Sequence, residues 1–288
     1  MSFDVYVKAP AKVNIGLKVL KKRADGFHNI ESIFQTLDFS DGLKVRRIPQ
    51  KECVVNCALM QLPLENTLTK TYKAFLAETN IDFGVEVELD KVVPAGGGLG
   101  GGSSDGASLL KALADLSGIQ LTDSLADAVA GKVGSDVFFF LHCGFFQKGR
   151  GCALVSGRGE VVEPIEPRTD LSFLLVFPGI HSSTAEAYSL VDKAYESGEE
   201  VSCPDFPELR RLYYGLIGAW KFANSFTPVL VTKYPLIGEA LRDVLECGAD
   251  WADMSGSGAT VFGVFESELA AKKAFLKCQK KWKCVLTH

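Results

Sequence analysis

A chain of 288 residues, 47% of them hydrophobic, can bury one large core or two ordinary ones, and two domains are expected. Its 31 basic and 35 acidic residues leave a net charge of −4, which excludes a general attraction to nucleic acid or to an anionic membrane; any affinity for phosphate must be local. The 8 cysteines are too sparse for a disulfide-stapled domain and are expected as thiols, and neither Cys53-x-x-x-Cys57 nor Cys278 with Cys284 has zinc-finger spacing, so no metal ligands are assigned.

Lys8, Lys12 and Lys18 interrupt any apolar run in residues 1–20, so this stretch reads as neither signal peptide nor spanning helix, and a cytoplasmic protein is expected. Residues 3–9 alternate, with Phe3, Val5 and Val7 against Asp4, Tyr6 and Lys8; Pro10 then intervenes before a second strand over 11–20. Residues 21–26, with three basic side chains ahead of Asp25-Gly26, form a solvated hairpin tip. The Phe27-His28 pair that follows suits stacking on a planar base and bonding to its edge, or a structural contact. Strands are expected over 30–39, 43–48 and 53–59, then a helix over 68–79 capped by Asn66 or Thr67.

A strand over 84–93 delivers the chain to its most distinctive stretch, residues 94–105, where Gly96, Gly97, Gly98, Gly100, Gly101 and Gly102 surround Leu99. Without side chains, backbone N–H groups can turn inward and approach an anion closely. Ser103, Ser104 and Asp105 are good N-cap types, and Leu109, Leu110, Leu113 and Leu116 recur at helical spacing, so the loop opens a helix whose positive end suits phosphate. A flexible linker would not run from a strand into an amphipathic helix. Walker A requires a lysine where Ser103 stands. Gly96, Gly98 and Gly101 satisfy G-x-G-x-x-G, but 118–131 reads as a turn and a helix rather than a strand closed by an acid, and protein-kinase signatures are lacking downstream.

Thr122 caps a helix over 123–130, and Gly134-Ser135-Asp136 then precedes the greasy run Val137 to Leu141. Asp136 stands either at the edge of a dry site or as the cap of a short turn. Residues 157–170, with Gly157-Arg158-Gly159-Glu160 and two prolines, suit a domain boundary. Beyond it come a strand over 171–177, a helix over 184–194, a polar loop over 197–207, helices over 208–222 and 236–247, the turn Ser255-Gly256-Ser257-Gly258, a strand over 260–265 and a closing helix from Ser267 with Ala271, Phe275, Cys278 and Trp282 on one face. This order suits an α+β layer with helices on one face.

Pro10-Ala11-Lys12-Val13-Asn14, Arg23 to His28, Pro94 to Asp105, Gly134-Ser135-Asp136-Val137, Pro178-Gly179 and Ser255 to Ala259, in that order, resemble the GHMP small-molecule kinase superfamily. Within it they resemble the members acting on a cytidylated methylerythritol in the non-mevalonate isoprenoid pathway, which usually have tyrosine where Phe27 stands. The resemblance implies an α+β, two-domain architecture: an N-terminal ATP-binding domain over 1–160, like a ribosomal small-subunit protein, and a ferredoxin-like α+β domain over 161–288. It implies ATP, with Mg²⁺ as its complex, and a small-molecule partner, 4-diphosphocytidyl-2-C-methyl-D-erythritol, phosphorylated on its 2-hydroxyl. It carries Asp136 over as base and Lys12 as its neighbour. ATP is expected on Pro94, Ala95, Gly96, Gly97, Gly98, Leu99, Gly100, Gly101, Gly102, Ser103 and Ser104, with Lys91 and Asn66 near the nucleotide. The acceptor is expected on Asn14, Phe27, His28, Thr184 and Tyr188.

Overall fold

Strands β1 (Val5–Lys22) and β2 (His28–Ile48) pair antiparallel from end to end, Val5 opposite Val45 and Lys22 opposite His28. Pro10 does not end β1. It sits where the register slips between Pro10 and Lys12, a bulge that tolerates its missing N–H. A second slip between Ile15 and Leu17 spans Gly16, whose φ of +73° suits only glycine. The strands expected over 3–9 and 11–20 are therefore one, as are those over 30–39 and 43–48. The computed structural model describes residues 4–143 and 151–288, so Phe3 lies outside the described residues.

Next come β3 (Cys53–Cys57), α1 (Thr67–Thr79), β4 (Gly84–Asp90), α2 (Gly101–Ser117), α3 (Asp123–Val133), α4 (Ser135–His142), β5 (Cys152–Ser156) and β6 (Val161–Ile165). They build a sheet in the order β3-β4-β2-β5-β6, with β1 on β2. Alternation decides its packing: Val85, Val87 and Leu89 of β4 are buried against Leu68, Tyr72 and Phe75 of α1 and Leu109, Leu110 and Leu113 of α2. Asn66 caps α1 reciprocally, its Oδ1 accepting from Thr69 N at 3.1 Å while Thr69 Oγ1 accepts from Asn66 N at 2.9 Å. Helix α4 hides in the apolar run after Asp136, which lacks a polar face. The division expected at 160 falls inside the β5–β6 hairpin, and the first sheet continues to Ile165.

The remaining elements are β7 (Ser172–Phe177), α5 (Thr184–Glu196), α6 (Phe206–Tyr213), the 3₁₀ turn Ile217–Ala219, α7 (Phe226–Lys233), α8 (Pro235–Glu246), β8 (Trp251–Met254), β9 (Val261–Phe265), α9 (Glu268–Cys278) and β10 (Lys283–Thr287). The helix expected over 208–222 stops at Tyr213, ahead of helix-weakening Gly215 and Gly218. The sheet β10-β7-β9-β8 is antiparallel throughout. Both of its faces are buried: Leu174, Val176 and Phe265 pack against α5, α7, α8 and α9, while Phe173, Leu175 and Val264 pack against Val13 and Ile15 of β1 and Ile33 of β2. The two sheets thus meet across a shared apolar layer, and no helix among the described residues is long and apolar enough to cross a membrane.

The free edge of β1 is where the sequence comes back on itself. Lys12 N donates to Leu99 O at 2.9 Å, Leu17 N to Ala223 O at 2.9 Å, and Ser225 N to Leu17 O at 2.8 Å. An edge strand left open would invite foreign pairing; here it is covered by the glycine loop and by residues 223–225.

Candidate active site

The glycine loop connects β4 to α2 with alternating positive φ at Gly96 (70°), Gly98 (78°) and Gly100 (68°). That alternation turns successive amides toward one concave side, an anion-binding arrangement. Ser103, Ser104 and Asp105 do not cap α2 as expected. Gly100 is the N-cap, without a side-chain bond to the helix, because its left-handed conformation starts α2 earlier and leaves the first N–H groups to a ligand. A Cβ on Gly98 would stand 2.9 Å from the Ser255 carbonyl carbon, and one on Gly97 would stand 2.9 Å from Thr260 Oγ1. Ser255 Oγ donates to Gly98 O at 2.9 Å and Thr260 N to Gly97 O at 3.2 Å, so the turn at 255–258 braces the loop from behind.

The loop walls a cavity of about 320 Å³ that also reaches Lys12, Asn14, Asp136, Thr67 and Ser257. Pro94, Gly96 to Gly102 and Ser103 line it; Ala95 does not. Ser104 is fully buried beside it, its Oγ without a hydrogen-bond partner among the described residues. Lys91 and Asn66 are not brought to the wall. Asn66 is occupied as the α1 cap. Lys91 Nζ lies behind the loop, 2.5 Å from Asp41 Oδ2 and 2.9 Å from Asp105 Oδ2. Burial works to lower the Lys91 pKa, but the two carboxylates outweigh it and the net shift is upward. Asp41 Oδ1 also accepts from Val92 N at 2.6 Å and Val93 N at 2.7 Å, whereas Asp105 Oδ1 has no hydrogen-bond partner among the described residues. Burial foremost pushes the Asp105 carboxyl up to about 7.

Lys12 and Asp136 come together, Nζ to Oδ2 at 3.4 Å, with the lysine side chain 4% exposed and the aspartate 33%. Lys12 Nζ also donates to Asn14 Oδ1 at 2.6 Å and lies 4.6 Å from the centre of the Phe34 ring. Asn14 in turn donates from Nδ2 to Ser32 Oγ at 3.3 Å, which fixes its amide orientation. Asp136 stands in the first turn of α4, where the helix dipole favours a carboxylate, and Val137, Phe139 and Phe140 anchor that helix in the core. The result is a half-exposed carboxylate beside a buried ammonium at the mouth of an anion cradle.

A second cavity, about 670 Å³, adjoins the first through Ser103, Asp136, Arg158, Thr184 and Tyr188. His28 is stacked on Tyr188 with ring centres 4.9 Å apart and 21° between planes, and Tyr188 meets Phe226 edge-on. His28 Nδ1 contacts Leu20 O at 2.8 Å and Nε2 contacts Asp192 Oδ1 at 3.2 Å. Burial, then the nearby charge of Asp136, pushes the Tyr188 phenol up to about 12. Phe27 is 54% exposed at the rim, leaving a ring face open to a planar ligand. Thr184 Oγ1 is 2.9 Å from Ser257 Oγ, tying the start of α5 to the bracing turn. Arg158, Asp192, Thr67 and Ser257 were not among the expected site residues, Thr67 being read as a possible helix cap and Ser257 as part of a turn. Arg158 lies in a stretch with the composition of a linker, and Asp192 is one acid among several on α5.

Comparison with known proteins agrees with this geometry. The GHMP kinases N terminal domain matches residues 66–144 and the GHMP kinases C terminal matches residues 206–284. A 4-diphosphocytidyl-2-C-methyl-D-erythritol kinase of Treponema pallidum subsp. pallidum is 39% identical, over 96% of this chain and 95% of that protein. One of Prosthecochloris aestuarii is 34% identical, over 94% and 92%. A crystal structure of 4-(cytidine 5'-diphospho)-2C-methyl-D-erythritol kinase superposes with a TM-score of 0.77 at 27% identity, covering 98% of each chain. The chain belongs to the GHMP kinases, in the family of the 4-diphosphocytidyl-2-C-methyl-D-erythritol kinases.

Proposed function

We propose that this protein transfers the γ-phosphoryl group of ATP to the 2-hydroxyl of 4-diphosphocytidyl-2-C-methyl-D-erythritol in the cytoplasm, giving the 2-phosphate and ADP. The observation that carries the reading is the junction of two cavities at Asp136, one walled by bare amides and one by His28 and Tyr188. Transfer to an alcohol requires the nucleophile and leaving oxygens in line, the phosphate charge neutralised, and an acceptor for the hydroxyl proton. The amides of 96–103 and the start of α2 hold the triphosphate. Asp136 accepts the proton of the hydroxyl, and Lys12, 3.4 Å away, orients the carboxylate and the alcohol. Phe27, His28 and Tyr188 bind the cytosine, with Asn14 and Thr184 along the path to the reacting hydroxyl.

Magnesium fits this site as part of the ATP complex. Among the described residues no group of three or more His, Cys, Asp or Glu could hold a metal alone, whereas Ser103 offers a hydroxyl at the cradle. When bound, Mg²⁺ would supply positive charge against the phosphates, with Ser103 as the side chain able to hold it.

Steady-state assays with ATP and the cytidylated alcohol, mevalonate or homoserine test the reading. Turnover of the cytidylated alcohol is expected; turnover of another acceptor alone would overturn it.

A further inference from the structure

The β5–β6 hairpin tip belongs to neither cavity by sequence, yet it stands between them. Gly157 and Gly159 flank Arg158 with φ of +68° and +120°, and Gly159 N donates to Ser156 O at 3.1 Å to close the turn. Gly157 O accepts from Ile30 N at 2.7 Å, which ties the tip to the strand carrying His28. On its other side the tip presses on α4: a Cβ at Gly159 would lie 3.1 Å from Ser135 Cβ and 3.8 Å from Asp136 Oδ1. The turn is therefore registered against both the base pocket and the proposed base.

Its side chain is aimed as well as placed. The Arg158 guanidinium lies 4.9 Å from the centre of the Phe27 ring, and Glu160 holds the residue, accepting from Arg158 N with one oxygen while the other stands 3.9 Å from Nε. The residues common to both cavities are Ser103, Asp136, Arg158, Thr184 and Tyr188, and Arg158 is the cation among them. The two lysines facing the cavities are paired more closely than Arg158 is with Glu160, Lys12 with Asn14 and Asp136, and Lys22 with Asp192 at 3.5 Å.

We propose that Arg158 binds the diphosphate that joins the base to the reacting alcohol, and so makes the enzyme select acceptors in which a nucleoside diphosphate carries the hydroxyl. The inference rests on the kinase reading above. A base held by His28 and Tyr188 and a hydroxyl held at Asp136 oblige the bridge between them to cross the shared wall. Two phosphates passing a carboxylate there need a countercharge, and a planar guanidinium with several donors suits phosphate oxygens better than an ammonium does. Stacking on Phe27 and the tether to Glu160 pre-order the side chain, so little freedom is lost on binding.

The test compares wild type with Arg158→Gln and Arg158→Lys. In steady state, Arg158→Gln is expected to raise KM for the cytidylated alcohol about 10- to 100-fold, the loss of one charge-assisted phosphate contact, and to leave KM for ATP unchanged. Arg158→Lys should recover part of the loss. In parallel, cytidine 5'-diphosphate and cytidine are titrated as binding probes: the wild-type preference for the diphosphate should collapse in Arg158→Gln while cytidine binds as before. A Gln variant that keeps that preference, or that loses ATP affinity instead, overturns the assignment. If wild type itself fails to turn over the cytidylated alcohol, the kinase reading falls, a result distinguishable from an unchanged KM in the variant.

Discussion

The bracing of the glycine loop by the 255–258 turn can be tested at a single atom. In Gly98→Ala the added Cβ would overlap the Ser255 carbonyl oxygen and stand 2.9 Å from its carbon and 3.2 Å from Gly258 N, with φ at +78°. The backbone conformation alone costs an alanine about 1–2 kcal/mol. Overpacking against a main chain that cannot rotate away adds about 1–3 kcal/mol. Gly118→Ala separates these effects, since Gly118 has a similar φ of +69° and nothing within 4 Å of a Cβ. Gly98→Ala should therefore be the less stable of the two by about 1–3 kcal/mol, or roughly 2–12 °C in melting midpoint at about 2–4 °C per kcal/mol. Relieving the contact moves the loop by roughly half an ångström or more, and misplacement near 1 Å costs about 10²-fold in rate. Gly98→Ala should lose about 10- to 100-fold in kcat/KM for ATP, whereas Gly118→Ala should keep the wild-type value. Calorimetry and a coupled ADP assay measure both quantities. Equal stability of the two variants, with full activity in Gly98→Ala, would refute the bracing argument.

Asp136→Asn is expected to lower kcat by about 10²- to 10⁴-fold with ATP binding retained, and a variant within tenfold of wild type would remove Asp136 as the base. Lys91→Met would leave Asp41 and Asp105 buried without their cation, at a cost of about 3–5 kcal/mol. An unchanged melting midpoint with a raised KM for ATP would show that Lys91 serves the nucleotide instead. Asp105 gives a pH dependence with a definite sign. Its carboxyl rises from 3.8 to about 7 on folding, so across that window the folded chain holds a proton that the unfolded chain has released. Its stabilising contribution is full below the lower value, falls as pH rises, and is gone above the upper one. Asp105→Asn mimics the protonated form and should melt higher than wild type by a margin that widens as pH rises from about 4 to about 7; a variant that melts lower at pH 8 would contradict the assignment.

What could be read from the sequence divides along physical lines. Alternation in β4 and the heptad-like leucines of α2 are local signals, and both elements were legible. The continuity of β1 was not, because Pro10 reads as a break while the structure uses it as a bulge in an 18-residue strand, and the second bulge, at Gly16, lies unannounced inside the strand expected over 11–20. Helix α4 and the strand pair β5–β6 were lost for a similar reason: a run apolar on every side has no period, and a hairpin tip of glycines and charges has the composition of a linker. Among site residues, the glycine loop announced itself through chain chemistry, whereas Lys91 was placed only by the family resemblance. A lysine three positions before Pro94 can point into the cradle or behind it. Only the positions of Asp41 and Asp105, 50 and 14 residues away, decide between these.

The reason these distant pieces converge lies in the edge of β1. A strand paired on one side must find partners for its outward N–H and C=O groups, and the fold supplies them with segments that themselves carry function. Lys12 N meets Leu99 O of the phosphate loop, and Leu17 is bonded from both its N–H and its C=O to residues 223–225. Asn224 in turn donates from Nδ2 to Met254 O and Gly256 O, each at 2.8 Å, which fixes the turn that braces the loop. The bond that satisfies the backbone of Lys12 is thus the one that sets its ammonium beside the glycine cradle. Because the lysine and the loop share a main-chain hydrogen bond of 2.9 Å, their relative position is held to the tolerance of that bond and not to that of two separately packed elements. A shift of the loop large enough to disturb the phosphate would also strip a buried edge amide of its partner, so the requirement that the sheet edge be satisfied and the requirement that the transfer geometry be kept are enforced by the same atoms.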